Sequence, residues 1–317
     1  MKKKLKILLH TDFSLNKTGF GRAAKCLLSH LYHTGKYELV HYCCHMPENA
    51  FQLSFTPWKS VGSVPSDEIV RKIVEANNPR NDDGQRQAIL AQIHYGAYKI
   101  DEVINQEKPD IYIGTQDIWG LDYVVNKDWF KRIPSVIWTT LDSLPLYPKA
   151  IELAPHIQNY WMWSSFATKE MHRLGFGHVN TVHGPVEDKF FYRKEDQDRK
   201  SLRDRHGIEQ DRFMIGFVFR NQGRKSVINL FDGYRIWKEK NPNVKSGLLL
   251  HTSFSEGWPI MAKAKEYGVE NDIYTTYVCR NCKNYKVQRF IGEAVECDKC
   301  KNKQSFFSTH LQFGVKE

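Results

Sequence analysis

The chain has 317 residues and a formal net charge of +10, and 41% of its residues are apolar. This composition excludes a disordered protein and predicts one large or two medium globular domains. No apolar run approaches the roughly 18 residues that span a membrane, and the basic N-terminus lacks the long apolar segment of a signal peptide. We therefore expect a cytoplasmic protein with no membrane span, and the charge favours anionic partners.

Strands and helices alternate along the first part of the chain. Residues 4–11 form a predicted buried strand, an apolar stripe predicts a helix from residue 22, and "YELVHYCC" predicts the next strand. Another helix is predicted near residues 88–106, and strands follow at "KPDIYIGTQ", "IPSVIWTT" and "NYWMW". This alternation predicts a parallel, doubly wound α/β sheet.

The same pattern begins again in the last third of the chain. "DRFMIGFVFR" predicts a strand, residues 226–238 a helix with one apolar face, and "KSGLLLHT" and "DIYTTYV" two more strands. We expect the boundary near residues 185–192. An N-terminal α/β domain would then comprise residues 1–187 and a second one residues 188–317.

A glycine loop, "TGFGRAA", precedes the first predicted helix and contains Gly19 and Gly21. It matches the dinucleotide pattern G-x-G-x-x-A, but polar residues separate it from the strand. The acidic residue expected after the second strand is also missing, so a nicotinamide cofactor is not predicted. Two interpretations remain open: a loop that binds a phosphate or a sugar at a helix N-terminus, or a tight turn that needs glycine.

Three cationic residues, Arg220, Arg224 and Lys225, lie in the predicted turn "RNQGRK" between a strand and a helix. The N-terminus of a helix carries free N–H groups and a partial positive charge. Together with the three cations, it could bind a diphosphate without a metal ion and stabilise a leaving phosphate. The alternative is a solvated basic turn.

Polar side chains follow several predicted strands, where the ligand crevice of an open α/β sheet lies. They could equally be turn formers or helix caps. These residues are Gln116, Asp117, Thr139, Thr140, Asp142, His183 and Glu187, and His10 ends the first strand with the same ambiguity.

Four cysteines form two Cys-x2-Cys pairs, which predict a structural zinc ion with four thiolate ligands in a ribbon at about residues 277–305. The ligands are Cys279, Cys282, Cys297 and Cys300. A catalytic zinc is not expected, because four thiolates leave no open position. "HYCCH" (residues 41–45) is a weaker metal candidate, and burial of its cysteines is the better interpretation, since adjacent strand residues point to opposite faces.

Taken in order, these features resemble the retaining GT-B glycosyltransferases, in particular the large group 1 or family 4-like superfamily that includes sucrose synthases and bacterial α-mannosyltransferases. The matching segments are "TGFGR", "WMWSSF", "VHGPVEDKFF" and "GFVFRNQGRKSV". The resemblance implies two Rossmann-like domains and a nucleotide-sugar donor. It implies that Arg220 or Arg224, with Lys225, holds the donor diphosphate. Gly19 and Gly21 would lie near the donor phosphate and sugar, and Asp117 would be the catalytic candidate near the transferred sugar or the acceptor.

Two departures from the family change what is expected. The zinc ribbon is an insertion, and the segment in which the family carries paired glutamates does not follow. We therefore expect an incomplete second domain, and either a glycosyltransferase, a fragment of one, or an inactive nucleic-acid- or protein-binding module. "SFSEGWP" (residues 253–259) is similar to the glutamate motif but comes too early and has a single glutamate.

The acceptor is not identified by the sequence, but basic residues concentrate in and beside the ribbon. They are Lys283, Lys286, Arg289, Lys299, Lys301 and Lys303. Basic faces of this kind bind phosphate backbones, so DNA or another polyanion is a candidate acceptor. In the alternative interpretation, zinc only holds a long insertion together or mediates contact with a protein.

Overall fold

The computed structural model describes residues 4–78, 80–187, 192–254, 256–279, 281–291, 295–302 and 305–307. Its contacts divide the chain into two compact units, Met1–Phe191 and Tyr192–Glu317. Among the residues described, no helix has the length and apolar character needed to cross a membrane.

The first unit alternates strands and helices, as the sequence predicts. Its elements are β1 (Leu5–Asp12), α1 (Gly19–His33), β2 (Tyr37–Pro47), β3 (Lys59–Val64), α2 (Asp67–Asn77), α3 (Asp83–His94), α4 (Ile100–Glu107), β4 (Ile111–Gly114), α5 (Ile118–Leu121), α6 (Asp128–Arg132), β5 (Ser135–Thr139), α7 (Pro148–Leu153), β6 (Asn159–Met162), α8 (Ser165–Arg173) and β7 (Asn180–Thr181). The sheet has the order β3-β2-β1-β4-β5-β6-β7, and all its pairs are parallel. The predicted doubly wound α/β class is confirmed.

Both faces of this sheet are buried, which explains the nearly continuous apolar runs of its strands. Along β1, successive side chains point to opposite faces. Leu8 packs into one core with Tyr112 of β4, whereas Leu9 packs on the other face with Leu28 of α1. Helices therefore cover the sheet on both sides.

The predicted helix near residues 88–106 is two helices, α3 and α4. The break contains Gly96, whose φ is +86°. A Cβ atom at Gly96 would lie 2.5 Å from Cε1 of Tyr42, and the Gly96 carbonyl accepts a hydrogen bond from the Tyr42 hydroxyl at 2.9 Å. The helix ends here because the buried tyrosine of β2 needs this close backbone approach.

The second unit repeats the architecture on a smaller scale. Its elements are α9 (Asp196–His206), β8 (Phe213–Val218), α10 (Val227–Lys240), β9 (Ser246–His251), α11 (Ile260–Glu266), β10 (Ile273–Cys279), β11 (Tyr285–Arg289) and β12 (Ser305–Phe307). Strands β8, β9 and β10 are parallel, and α10 buries Val227, Phe231 and Tyr234 in the core. Short 3-10 helices lie at Phe51–Phe55, Asp122–Asn126, Ala154–His156, Gly223–Lys225 and Glu270–Asp272.

Strand β10 pairs with three other strands of the second unit. Its start, Ile273 and Tyr274, pairs with β9 in the parallel sheet. Residues 274–278 pair antiparallel with β11 on one edge, and residues 277–279 pair antiparallel with β12 on the other. The segment that carries the cysteines is therefore built directly onto the sheet of the second unit.

Candidate functional site

Two turns at the carboxyl edge of the first sheet are tied together by Asp12, the last residue of β1. Its buried carboxylate accepts a hydrogen bond from Oγ1 of Thr18 at 2.5 Å and another from the side-chain amide of Gln116. The Thr18 hydroxyl in turn accepts from the backbone N–H of Gly21 at 3.0 Å and caps α1. Asp12 thus holds the glycine loop beside the turn after β4.

The two glycines of the loop have different surroundings. A Cβ atom at Gly21 would lie 2.5 Å from the carbonyl oxygen of Asn16 and 2.8 Å from that of Phe13, so the turn requires glycine here. Gly19 has no atom within 4 Å of its Cβ position and is exposed. The tight-turn interpretation therefore explains Gly21, while Gly19 leaves backbone accessible to a ligand.

Asp117 lies in the turn after β4 and is half-buried. Its Oδ1 accepts a hydrogen bond from the Thr140 hydroxyl, which follows β5, at 2.6 Å. The edge thus brings Gln116, Asp117 and Thr140 together. Asp142 is exposed, and the exposed His183 contacts the carbonyl oxygen of Trp163 through Nδ1 at 3.0 Å.

A group of buried polar atoms at this edge has no hydrogen-bond partner among the described residues. They are Thr11 Oγ1, Ser14 Oγ, Thr115 Oγ1, Thr139 Oγ1 and Trp163 Nε1, at or just beyond the ends of β1, β4, β5 and β6. An unsatisfied buried polar atom costs about 1–3 kcal/mol. These atoms are inaccessible to solvent, so they mark hydrogen-bonding capacity that is left unused inside this edge.

His10 has a structural role. Nε2 lies 2.9 Å from the carbonyl oxygen of Tyr95, which only accepts, so Nε2 carries the proton and Nδ1 accepts from the Tyr112 hydroxyl at 2.9 Å. Burial lowers the pKa of His10 to about 3. With both nitrogens bonded, His10 has no nitrogen available as a general base.

The cysteines of "HYCCH" are buried, as interpreted from the sequence. Cys43 and Cys44 are both inaccessible to solvent, and burial raises the pKa of each thiol above its ordinary value. The one group of three or more potential metal ligands found in the described parts of the chain lies elsewhere, at the four C-terminal cysteines.

The predicted cationic turn follows β8 in the second unit. Arg224 and Lys225 lie in the 3-10 helix Gly223–Lys225, and Ser226 adopts a left-handed conformation with φ of +45° before α10 begins. Ser226 is the N-cap residue of α10, and its side chain makes no capping hydrogen bond. Nε of the exposed Arg220 lies 3.9 Å from a carboxylate oxygen of Glu256, whereas Arg224 and Lys225 form no ion pair with any described residue.

Asn221 connects this turn to the loop between β9 and α11 through hydrogen bonds. Its buried side-chain amide donates to the carbonyl oxygens of Ser253 at 3.2 Å, Trp258 at 2.9 Å and Glu256, and its Oδ1 accepts from Trp258 N–H at 3.1 Å. Sequence patterns do not single out this residue, because asparagine is an ordinary turn former.

The four C-terminal cysteines have the geometry of a closed metal site. Their sulfur atoms all lie within 4.8 Å of one another, and the Cys279–Cys300 and Cys282–Cys297 sulfur pairs are 3.5 Å apart. Tetrahedral zinc with bonds of about 2.3 Å would place its sulfur ligands about 3.8 Å apart. The donor set and its spacing therefore fit a structural zinc ion.

The two cysteine turns are copies of one another. In each, the first cysteine N–H bonds to the carbonyl oxygen of an asparagine five residues later, at 2.8 Å for Asn284 and 2.9 Å for Asn302. Lys283 and Lys301 both have φ of +59°. The N–H of Asn302 lowers the pKa of the Cys300 thiol to about 6. The repeated "CxxCKN" is the sequence signal for this symmetry.

The positive charge of the ribbon is partly neutralised. Nζ of Lys286 lies 2.9 Å from a carboxylate oxygen of Asp298, and Nζ of Lys301 lies 3.8 Å from one of Glu296. Arg289 and Lys299 are exposed, and Lys303 lies outside the described residues. DNA or another polyanion as a partner stays a prediction.

Together, the two α/β units have the GT-B-like fold that the resemblance implies. A glycosyltransferase from Rickettsia africae ESF-5 aligns with a TM-score of 0.51 and 12% identity over 86% of this chain and 67% of that one. TarM aligns with a TM-score of 0.51 and 9% identity over 86% and 76%. The N-terminal domain of a Candida albicans trehalose-6-phosphate phosphatase gives 0.53 and 13% over 84% and 68%. No protein-family model and no curated protein matches the sequence.

Proposed function

We propose that the protein is a retaining glycosyltransferase that uses a nucleotide-sugar donor. The observation that carries this proposal is the turn after β8, where three cationic side chains precede a helix whose N-cap residue, Ser226, makes no capping hydrogen bond through its side chain. Two of those cations have no carboxylate partner within the described residues, so their charge is available to an anion. A diphosphate satisfies both the cations and the free N–H groups of the first helical turn.

In this function, Arg220, Arg224 and Lys225 bind the donor diphosphate and stabilise the charge that develops on it. The bond between the sugar C1 and the diphosphate oxygen breaks, and the diphosphate leaves with the electron pair. The acceptor hydroxyl forms the new bond to C1 on the same face of the sugar, and its proton passes to the departing diphosphate oxygen. No metal ion is required at the diphosphate, because the side-chain cations supply the positive charge.

The first unit would supply the groups that contact the sugar and its acceptor. Asp117, oriented by Thr140, is the proposed catalytic residue, and Gly19 gives a ligand access to the loop backbone. Gly21 keeps the loop in place. We assign the acceptor side to residues 1–187 and the donor side to residues 188–317, with a structural zinc ion in the ribbon at about residues 277–305.

The experiment is a turnover assay with a panel of nucleotide-sugars and simple sugar acceptors. The expected result is release of a nucleoside diphosphate and a product whose anomeric configuration, measured by NMR, equals that of the donor. Asp117→Asn should lower the rate strongly, while Asp128→Asn, which changes an exposed carboxylate at the start of α6, should not. Diphosphate binding without turnover on any donor would instead favour the inactive binding module.

A further inference from the structure

The cationic turn is held from one side by the loop that follows β9. Besides the bonds of Asn221, the indole Nε1 of Trp258 donates to the Gly223 carbonyl oxygen at 3.3 Å. Gly257 has φ of +63°, and a Cβ atom there would lie 2.1 Å from the Asn221 carbonyl oxygen. The backbone of the turn after β8 and that of the loop after β9 are therefore in direct contact, and the position of one fixes that of the other.

The same loop is held on its other side by the ribbon. Phe254 stacks on Phe290, which follows β11, with ring centroids 4.0 Å apart and an interplanar angle of 24°. Both rings pack against the core of the second unit. The N–H of Phe290 donates to the Ile273 carbonyl oxygen at 2.8 Å, so its backbone is fixed to the start of β10.

We propose that the hairpin formed by β10 and β11 of the ribbon is a brace that holds the cationic turn in its conformation. Phe290, Phe254 and Asn221 are the positioning residues of this brace. Contacts run from the hairpin through the Phe290–Phe254 stack to the loop after β9, and from there through Asn221 to Arg220, Arg224 and Lys225. Three like charges repel one another, so a turn that must hold them together for an anion needs an external support. This inference rests on the proposed function of the turn and gives the inserted ribbon a role in it.

The test compares Phe290→Ala with Tyr285→Ala in the zinc-loaded full chain. Tyr285 lies on the same hairpin but contacts His206 and Arg205 instead of Phe254, so it is the matched control. Two quantities are measured: amide hydrogen exchange in residues 219–226, and the affinity for inorganic pyrophosphate by calorimetry. Phe290→Ala should raise the exchange rates and weaken binding by at least about fivefold, as expected for coupled sites. Tyr285→Ala should change neither.

Two further variants keep the test decisive if Phe290→Ala folds poorly. Phe290→Tyr retains the stacked ring and should match the wild type. Asn221→Leu has a similar size and no charge but loses the donating amide, and should reproduce the loss of affinity. Wild-type exchange and affinity in a folded Phe290→Ala protein would overturn the brace. Failure of the wild type itself to bind pyrophosphate would contradict the proposed function, while faster exchange in Phe290→Ala would still support the brace.

Discussion

At the scale of single residues, Asp12 is the group on which the edge of the first sheet depends. Its carboxylate is buried and, among the described side chains, is held by the neutral donors Thr18 and Gln116. A lone aspartate at a strand end is ordinarily a turn former, so no spacing in the sequence marks it. The glycines and Asp117 could be predicted from local patterns, but the residue that connects them could not.

Replacing Thr18 tests this connection. Thr18→Val keeps the shape of the side chain but removes the cap of α1 and one donor to Asp12. We expect a loss of about 1–2 kcal/mol in unfolding free energy, the usual effect of losing an N-cap bond. The measurement is the midpoint of urea unfolding. Thr18→Ser keeps the hydroxyl and should remain near the wild type, and equal midpoints for the two variants would contradict the proposed connection.

At the scale of elements, α9 is joined to the ribbon through His206. The buried Nδ1 accepts a hydrogen bond from the Val287 N–H of β11 at 3.2 Å, and the ring packs on Tyr285. Burial, followed by the positive charges of Arg205 and Lys286, lowers the pKa of His206. The neutral ring is therefore the form that stabilises this contact.

This contact should make stability depend on pH. Because the folded pKa of His206 lies below its ordinary value, the unfolded chain binds the proton more readily. The contribution is complete above about pH 6.5 and is lost as the pH falls toward the folded pKa. The melting temperature of the wild type should exceed that of His206→Gln at pH 7.5, and the difference should shrink at pH 5. The exposed His30→Gln is the control, and a difference that grows on acidification would contradict the assignment.

The sequence predicts the strands and helices more readily than the contacts between them. The apolar runs of "FMIGFV" and "IYTTYV" indicate strands, and both are strands. That β10 divides its pairing between the parallel sheet and the ribbon depends on contacts distant in sequence. The helix near residues 88–106 is likewise interrupted by a contact with β2, which local propensity does not contain.

At the scale of the whole molecule, two α/β units of GT-B-like fold and a four-cysteine site follow from the alternation of elements and the cysteine spacing. The fold positions the candidate groups because parallel strands end at a common edge. The sequence does not reveal the residues that hold the candidate groups in place. These are Asp12 in the first unit, and Asn221 with the Phe254–Phe290 stack in the second. These contacts join residues that local patterns treat separately.

In the proposed function, the turn after β8 binds the donor diphosphate. Calorimetric titration of the wild type and of Arg224→Ala, Lys225→Ala and Lys240→Ala with uridine, guanosine and adenosine diphosphates tests it most directly. Lys240 is an exposed cation at the far end of α10 and controls for net charge. We predict that the wild type binds at least one of these nucleotides. Arg224→Ala and Lys225→Ala should each bind it about 10- to 150-fold more weakly, because each loses a charge-assisted hydrogen bond. Lys240→Ala should bind it like the wild type. Equal affinities for all four proteins would contradict the claim.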